Sequence, residues 1–593
     1  MTDELITLKI DGKEVQVAEG TTLLKACKQA GVDVPSLCYL DGINEEASCS
    51  VCMVEVKNAR TLVRSCVTKA TNGAEVSTNT ERVRRARRIN VELLLANHPQ
   101  DCFVCDRNET CELRRLAHNL GVRQVRFPKT SGPRWELDTS SPSLVRDPNK
   151  CVLCRRCISV CNRVQTVNAI DATQRGRRTV VSTFMDMGLG SVSCVNCGQC
   201  LLVCPTGAIV ETNATAGVWQ ALSDPEKTVL VEVAPAVRAS IGEEFGLPPG
   251  TRVTGKMVAA LRKLGFNKVF DTQFTADLTI MEEGHELIER LTHKGVLPMI
   301  TSCSPGWIKF AEHFYPRLMK NISSCKSPQQ MFGAVAKTYY AQKLGLDPRR
   351  VTVVSIMPCT AKKYEAKRPE MVAAFHFWKD KLHLKESDVF PDVDYVLTTR
   401  EAARMMKEAG IKFVDLPEET FDSPLGMSTG AAVIFGATGG VMEAALRTAY
   451  EVVTKKKLER LDFGDLRGLK GIKTTEVDLN GTKIKVAVAN SLGAARKLLD
   501  EIEEGKSPYT FIEIMTCPGG CLGGGGQPIP TDTEVREKRK MAIYEEDRNM
   551  PIRKSHENPH VQQLYKEFFG EPLSDKAHHL LHTAYAARPL YRR

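Results

Sequence analysis

A chain of 593 residues is long enough to bury several hydrophobic cores, so a single compact domain is excluded. The 81 Lys and Arg against 71 Asp and Glu leave a formal charge of +10, a mild excess spread along the sequence that gives no reason to expect nucleic-acid binding. With no basic segment leading into an apolar core at the start and no run of about eighteen apolar residues, the expectation is a soluble, cytoplasmic protein with no membrane span.

The 21 cysteines set this chain apart. In a reducing compartment they are expected to be metal ligands or catalytic groups rather than disulfides, and their spacing decides which. Residues 1–80 read as two strands, "ITLKIDG" and "KEVQVAEG", a short helix "TLLKACKQAG", and the loop-rich "CYLDGINEEASCSVCMVEV". Cys38, Cys49, Cys52 and Cys66 fall in loops, from which thiolates can wrap a cluster. The pattern resembles the beta-grasp ferredoxins that hold a 2Fe-2S cluster, although its first gap departs from the plant-type spacing. Cys27, in the amphipathic helix, is expected to be core.

A basic helix is predicted over 81–97. Its cluster "RVRRARR" (82–88) reads as a solvated face or a docking surface for an acidic protein. It leads to "HPQDCFVCDRNETC", which offers His98, Cys102, Cys105 and Cys111. One imidazole and three thiols suit tetrahedral zinc, but a place between two iron-sulfur modules favours a 4Fe-4S cluster with one histidine ligand, and residues 81–125 form that module. Residues 140–212 carry the most specific signal, two C-x2-C-x2-C-x3-C runs, "CVLCRRCISVC" and "CVNCGQCLLVCP". The last cysteine of each run crosses to the other cluster. Cys151, Cys154, Cys157 and Cys204 are therefore expected to hold one 4Fe-4S cluster, and Cys161, Cys194, Cys197 and Cys200 a second.

From 213 to 593 the texture changes to apolar strands alternating with helices, as in "TVLVEVAPAVRASIG", "VTVVSIMPC" and "YTFIEIMTCPGGC", which predicts an α/β domain. The glycine-rich stretch 428–449 lacks a phosphate-loop lysine, and no G-x-G-x-x-G follows a clear strand, so neither a nucleotide nor a flavin site is expected. Cys303, Cys325, Cys359, Cys517 and Cys521 fall at strand ends or turns. There a scaffold can aim side chains into one cavity.

At "TSCSPGW" (301–307), "MPCTAKKYE" (357–365) and "EIMTCPGGCLGGGGQP" (513–528) the chain resembles the iron-iron hydrogenases, and the resemblance runs over essentially all 593 residues. It implies a multidomain α+β protein: a beta-grasp 2Fe-2S ferredoxin-like domain (1–80), a 4Fe-4S domain with one histidine and three cysteine ligands (81–125), a bacterial-type two-4Fe-4S ferredoxin domain (140–212) and an α/β catalytic domain (213–593). The implied cofactors are one 2Fe-2S cluster, three accessory 4Fe-4S clusters and the H-cluster, a 4Fe-4S cubane joined to a two-iron unit. The implied reaction interconverts protons and electrons with hydrogen. Cys359, Cys517 and Cys521 match cubane ligands, Met357 and Pro358 flank the first of them, and Lys362 matches the residue that pairs with a cyanide of the two-iron unit. Glu283, Glu286 and Ser323 match the family's proton path, with Arg290 placed one turn on to hold Glu286.

The family has two adjacent cysteines where this chain has Cys303 and Ser304. Register puts Cys303 on the proton path and Ser304 at the fourth cubane position. Ligand chemistry pulls the other way, because iron takes a thiolate more readily than a serine oxygen, and it tips the sequence reading toward Cys303 as fourth ligand. Cys325 reads as a packing thiol. The resemblance further implies ferredoxin, or flavin- and NAD(P)-binding partner subunits, as the electron source, hence a hetero-oligomer. The alternatives are a monomer served by ferredoxin alone and a sensory or non-turnover paralogue.

Overall fold

The structure is a computed structural model that describes residues 4–129, 133–469, 471–479 and 481–591; the first three residues of the opening segment and the last two of the final domain lie outside the described residues. The N-terminal sheet has five strands in the spatial order 13–18, 5–10, 75–77, 53–56, 63–64. Its first hairpin turns at Asp11 and Gly12, both with positive φ (48° and 84°), the backbone that a two-residue turn needs to match strand twist. The helix Leu23–Gln29 is capped by Thr22 and buries Cys27 against the sheet.

The basic helix Glu81–Asn97 starts at a Thr80 cap. Its arginines divide: Arg82, Arg84, Arg85 and Arg88 are exposed, but Arg87 is buried and donates two hydrogen bonds to the Met53 carbonyl, at 2.6 and 3.0 Å. This corrects the reading of 82–88 as wholly solvated. A buried guanidinium beside the Cys52 loop is structural.

The two cysteine runs share one backbone. Leu153 and Arg155 in the first (φ 52° and 63°) correspond to Asn196 and Gly198 in the second (φ 60° and 69°). Repeated left-handed residues turn backbone N–H groups inward, forming concavities that receive anionic sulfurs. Gly198 is the one of these positions that must be glycine for a second reason, since a Cβ there would lie 2.5 Å from Thr360 Oγ1 and 2.9 Å from Gly525 Cα.

The remainder contains two four-stranded sheets. One is wholly parallel, in the order 268–271, 228–233, 351–357, 395–398; the other runs 299–300, 511–515, 482–490, 472–479, parallel except for its last pair. Strands buried on both faces, such as Val351–Met357, read as unbroken apolar runs because helices cover both sides. Cys303, Cys359 and Cys517 each follow the carboxyl end of a parallel strand, the edge where open α/β sheets place ligands.

A C-terminal helical segment straps this domain. Arg539, fully buried, grips both Glu243 oxygens at 2.6 and 2.7 Å and the Leu522 carbonyl at 2.9 Å. Arg447, also fully buried, joins Glu443 on its own helix to Asp547 on the helix Thr533–Asn549. Removing one partner from a buried ion pair leaves uncompensated charge, which costs about 3–5 kcal/mol. Arg447→Met is therefore expected to lower the chemical-denaturation midpoint sharply. A midpoint matching the parent's would show that Arg467 and Arg553 neutralise the two carboxylates unaided.

Candidate active site

Cys303, Ser304, Met357, Cys359, Lys362, Cys517 and Cys521 line one cavity. Its other walls come from residues the sequence did not single out, among them Pro235, Gln329, Phe435 and Thr516. Pro358 is the exception among the expected contacts. It is absent from the wall, and its carbonyl accepts the Gly526 N–H at 2.8 Å, pinning the glycine loop. That loop is so close that a Cβ on Gly524 would lie 2.2 Å from the Pro358 oxygen.

Lys362 points its ammonium at the Cys303 carbonyl (3.2 Å) and at Glu365 Oε2 (2.8 Å). Burial disfavours its charge, but Glu365, with Cys359 and Cys303 adding to it, offsets burial and raises its pKa. The sequence reading omits Glu365, although its i,i+3 spacing from Lys362 was the signal. It also accepts hydrogen bonds from Ser327 and Gln329.

Below the cavity runs the helix Thr272–Thr292, on which Glu283 and Glu286 are both buried rather than forming an acidic surface. Glu286 is tightly held: Arg290 donates to Oε1 at 2.6 Å, Ser323 Oγ to Oε2 at 2.7 Å, and the Ser324 N–H reaches both oxygens at 3.2 Å. Glu283 differs. Both its carboxylate oxygens are buried without a hydrogen-bond partner, and burial, with Glu286 adding to it, pushes its pKa up to about 8. Burial pushes the Cys303 thiol well above the usual thiol range, and the Glu283 carboxyl, where it ionises, adds to that. Ser304 turns its hydroxyl to Thr516 Oγ1, 2.7 Å away, on the same cavity wall.

The other cysteines gather as sets. Cys151, Cys154, Cys157 and Cys204 line one cavity; Cys161, Cys194, Cys197 and Cys200 line another. Near the N-terminus, the Cys49 thiol faces Cys38 and the Cys66 thiol faces Cys52, and in each pair the hydrogen bond favours one thiolate. His98 is half-buried, and its Nδ1 is buried without a partner.

Iron-sulfur groups fit this donor set, because buried guanidinium atoms without hydrogen-bond partners stand beside the thiols. Arg107 Nε and Nη1 lie nearest in charge to Cys204, and Arg536 Nε to Cys517. Such cations are costly beside neutral thiols and favourable beside thiolate-bound clusters. The sets also touch. Asn44 donates to the carbonyls of Cys38 (2.6 Å) and Cys154 (3.1 Å), Arg107 donates to that of Cys204 (3.0 Å), and Cys517 Sγ lies 3.9 Å from the Cys197 carbonyl.

Comparison with known proteins agrees with this geometry. The family described as "Iron only hydrogenase large subunit, C-terminal domain" matches residues 227–525, about half of the chain. This chain belongs to the iron-only hydrogenases. The description "Iron hydrogenase small subunit" matches residues 533–588 of the hydrogenase, a 2Fe-2S cluster-binding domain 3–81, the NADH-ubiquinone oxidoreductase-G iron-sulfur region 87–126, and a 4Fe-4S dicluster domain 147–208. The NADP-reducing hydrogenase subunit HndD of Solidesulfovibrio fructosivorans is 49% identical, over 98% of this chain and 99% of its own length. Iron hydrogenase 1 of Clostridium pasteurianum is 40% identical over the same shares. The solved apo [FeFe]-hydrogenase HydA1 of Chlamydomonas reinhardtii is 44% identical with a TM-score of 0.56, covering 64% of this chain and all of that one. The hydrogenase thus has 2Fe-2S and 4Fe-4S domains ahead of its catalytic domain. Among the described residues no helix is long and apolar enough to cross a membrane.

The raised pKa of Glu283 has a consequence for stability. An unfolded glutamate ionises near 4.5 while the folded one holds its proton to about 8, so between those values the folded state binds more protons and this group's stabilising contribution falls as pH rises, by at most about 1.4 kcal/mol per pH unit. Glu283→Gln should lose less stability than the parent between pH 5 and about 8, as followed by denaturant titration. Parallel curves would contradict a neutral Glu283.

Proposed function

We propose that this hydrogenase catalyses hydrogen interconversion at an H-cluster held by Cys359, Cys517 and Cys521, fed by one 2Fe-2S and three accessory 4Fe-4S clusters. The domains are those bounded at 1–80, 81–125, 140–212 and 213–593. The observation that carries the reading is the meeting of three strand-end cysteine motifs in one cavity whose wall touches the Cys197 loop. The H-cluster, when bound, supplies the metal site at which protons and electrons combine.

The accessory ligands follow the sets described: Cys38, Cys49, Cys52 and Cys66 for 2Fe-2S; His98, Cys102, Cys105 and Cys111 for one 4Fe-4S; and the two crossed sets for the others. The contacts from Asn44 and Arg107 both lead to the Cys151, Cys154, Cys157 and Cys204 set, which supports two electron entries that converge before reaching Cys197. Length-wide similarity to a subunit of an NADP-reducing hydrogenase supports a cytoplasmic hetero-oligomer whose partner chains bind flavin and NAD(P), with ferredoxin as a further carrier.

Protons pass from Glu286, which Arg290 holds in place, through the Ser323 hydroxyl to Glu283, and from Glu283 to the Cys303 sulfur. Lys362 holds positive charge at the cavity wall and anchors the Cys303 backbone. Cys303 is read here as the proton donor, with Ser304 presenting oxygen at the fourth cubane position. Thiolate chemistry alone favoured the reverse. The proximity of the Glu283 carboxyl to Cys303 and the hydrogen bond of Ser304 to Thr516 support the register reading.

Cys303→Ala is expected to assemble normally, with the infrared CO and cyanide bands and the cubane EPR signal retained while turnover falls by about 10^2 or more. Loss of the cubane signal would make Cys303 the ligand instead. Glu283→Gln should reduce turnover by a similar factor with the same spectra retained.

A further inference from the structure

Beside Glu286 lies a group of side chains that the hydrogenase reaction leaves unused. Cys325 Sγ is 3.7 Å from Glu286 Oε2 and 3.9 Å from His582 Nδ1, and the three potential ligand atoms all lie within 4.8 Å of one another. Donors around tetrahedral zinc, with Zn–S near 2.3 Å and Zn–N or Zn–O near 2.0–2.2 Å, stand about 3.3–3.6 Å apart. The observed sulfur spacings need to close by only a few tenths of an ångström. All three residues are buried. Behind the imidazole, His582 Nε2 is 3.0 Å from Glu282 Oε2, the arrangement that fixes the tautomer of a metal-binding histidine and raises its basicity. Glu282 is itself fixed by the Tyr565 hydroxyl and the Leu573 N–H. Nδ1 is then the acceptor and lies 2.8 Å from the Ser324 hydroxyl.

We propose that Glu286, Cys325 and His582 form a binding site for a borderline-soft divalent cation of the zinc type, and that its occupation closes the proton path. The ligands come from three elements distant in sequence, the Thr272–Thr292 helix, the loop after Ile322 and the C-terminal segment, so only the fold assembles them. One carboxylate, one thiolate and one neutral imidazole suit zinc better than magnesium or calcium, which prefer all-oxygen sites. Arg290 can remain on Glu286 Oε1, while the cation takes Oε2 and His582 Nδ1 and displaces from them the Ser323 and Ser324 hydroxyls now held at 2.7 and 2.8 Å. A water completes the tetrahedron. Entry is from the Glu286 side, where the Glu286 and Arg290 side chains are 10% and 15% exposed.

On binding, the Cys325 S–H proton leaves to solvent and a metal–sulfur bond forms, with no change of oxidation state. The thiol is held well above its usual range by burial first and then by Glu286, Glu283 and Glu282; His582, Arg290, Tyr565 and Tyr585 are the other titratable or charged groups facing it. Cation affinity therefore rises with pH, one proton being released per cation. The inhibitory half of the proposal rests on the proton path given above, whereas the binding half does not.

The test uses the matured full-length enzyme, freed of adventitious metal with a chelator and titrated with zinc chloride. The expected result is one retained zinc whose X-ray absorption edge reports a single sulfur neighbour, turnover that falls with occupancy and returns on chelation, and unchanged iron content and cluster EPR. Cys325→Ala and Cys325→Ser should keep the parent's turnover without zinc and lose both zinc retention and zinc inhibition. Glu282→Gln should weaken zinc affinity about 10- to 100-fold. Retained zinc with no sulfur neighbour, or with equal affinity in the Cys325 variants, overturns the site. Zinc bound through Cys325 with turnover unaltered keeps the site and overturns the proton path through Glu286.

Discussion

The join between the iron-sulfur domains and the catalytic domain depends on one close approach, the Cys197–Gly198 turn against Thr360 and Gly525. Neither glycine has room for a side chain: a Cβ on Gly525 would lie 2.6 Å from the Cys197 carbonyl, and one on Gly198 would meet Thr360 and Gly525 itself. That contact brings an accessory thiol set against the loop carrying Cys517 and Cys521, and it joins the iron-sulfur domains to the catalytic domain without an intervening linker. Gln199 reinforces it by donating to the Gly523 carbonyl at 2.8 Å. A larger residue at either glycine would widen the gap between the Cys197 turn and the Cys517–Cys521 loop, so under the proposed function the packing constraint and the electron route coincide.

Burial governs the chemistry on the other side of the cavity. Two carboxylates one helical turn apart are given opposite environments. Glu286 is held by a guanidinium, a hydroxyl and a backbone N–H, while Glu283 has no such donor and keeps its proton to about 8. Separating two acids by environment is how one fold obtains both a proton acceptor and a proton donor near neutral pH. Lys362 stays charged in the same dry pocket because Glu365 stands against it.

The C-terminal segment does more than close the domain. Arg539 holds the Leu522 carbonyl next to Cys521, and His582 reaches back to Ser324 and Glu282 beside the helix that carries Glu283 and Glu286. A strap that touches both the Cys517–Cys521 loop and this pair of carboxylates couples their positions. This explains why a region poor in cysteine lies so close to the chemistry.

Much was legible in the sequence because ligand spacing within a short run is local chemistry. The crossed pairs of the two C-x2-C-x2-C-x3-C runs, the start of the basic helix at residue 81, the one-turn offset of Glu283 and Glu286 and the Glu286–Arg290 pair all follow from residue type and helical or turn geometry over a few positions. What lay beyond it depends on contacts between distant elements. The burial of Arg87, the withdrawal of Pro358 from the cavity wall and the meeting of Cys325 with His582 across 257 residues could not be read from spacing. The same holds for Cys303 and Ser304. The sequence by itself determined that one thiol stands where two are usual. Only the fold decided what each side chain faces, because a cysteine's neighbours across a cavity are set by the strand ends that converge there and not by the residue beside it.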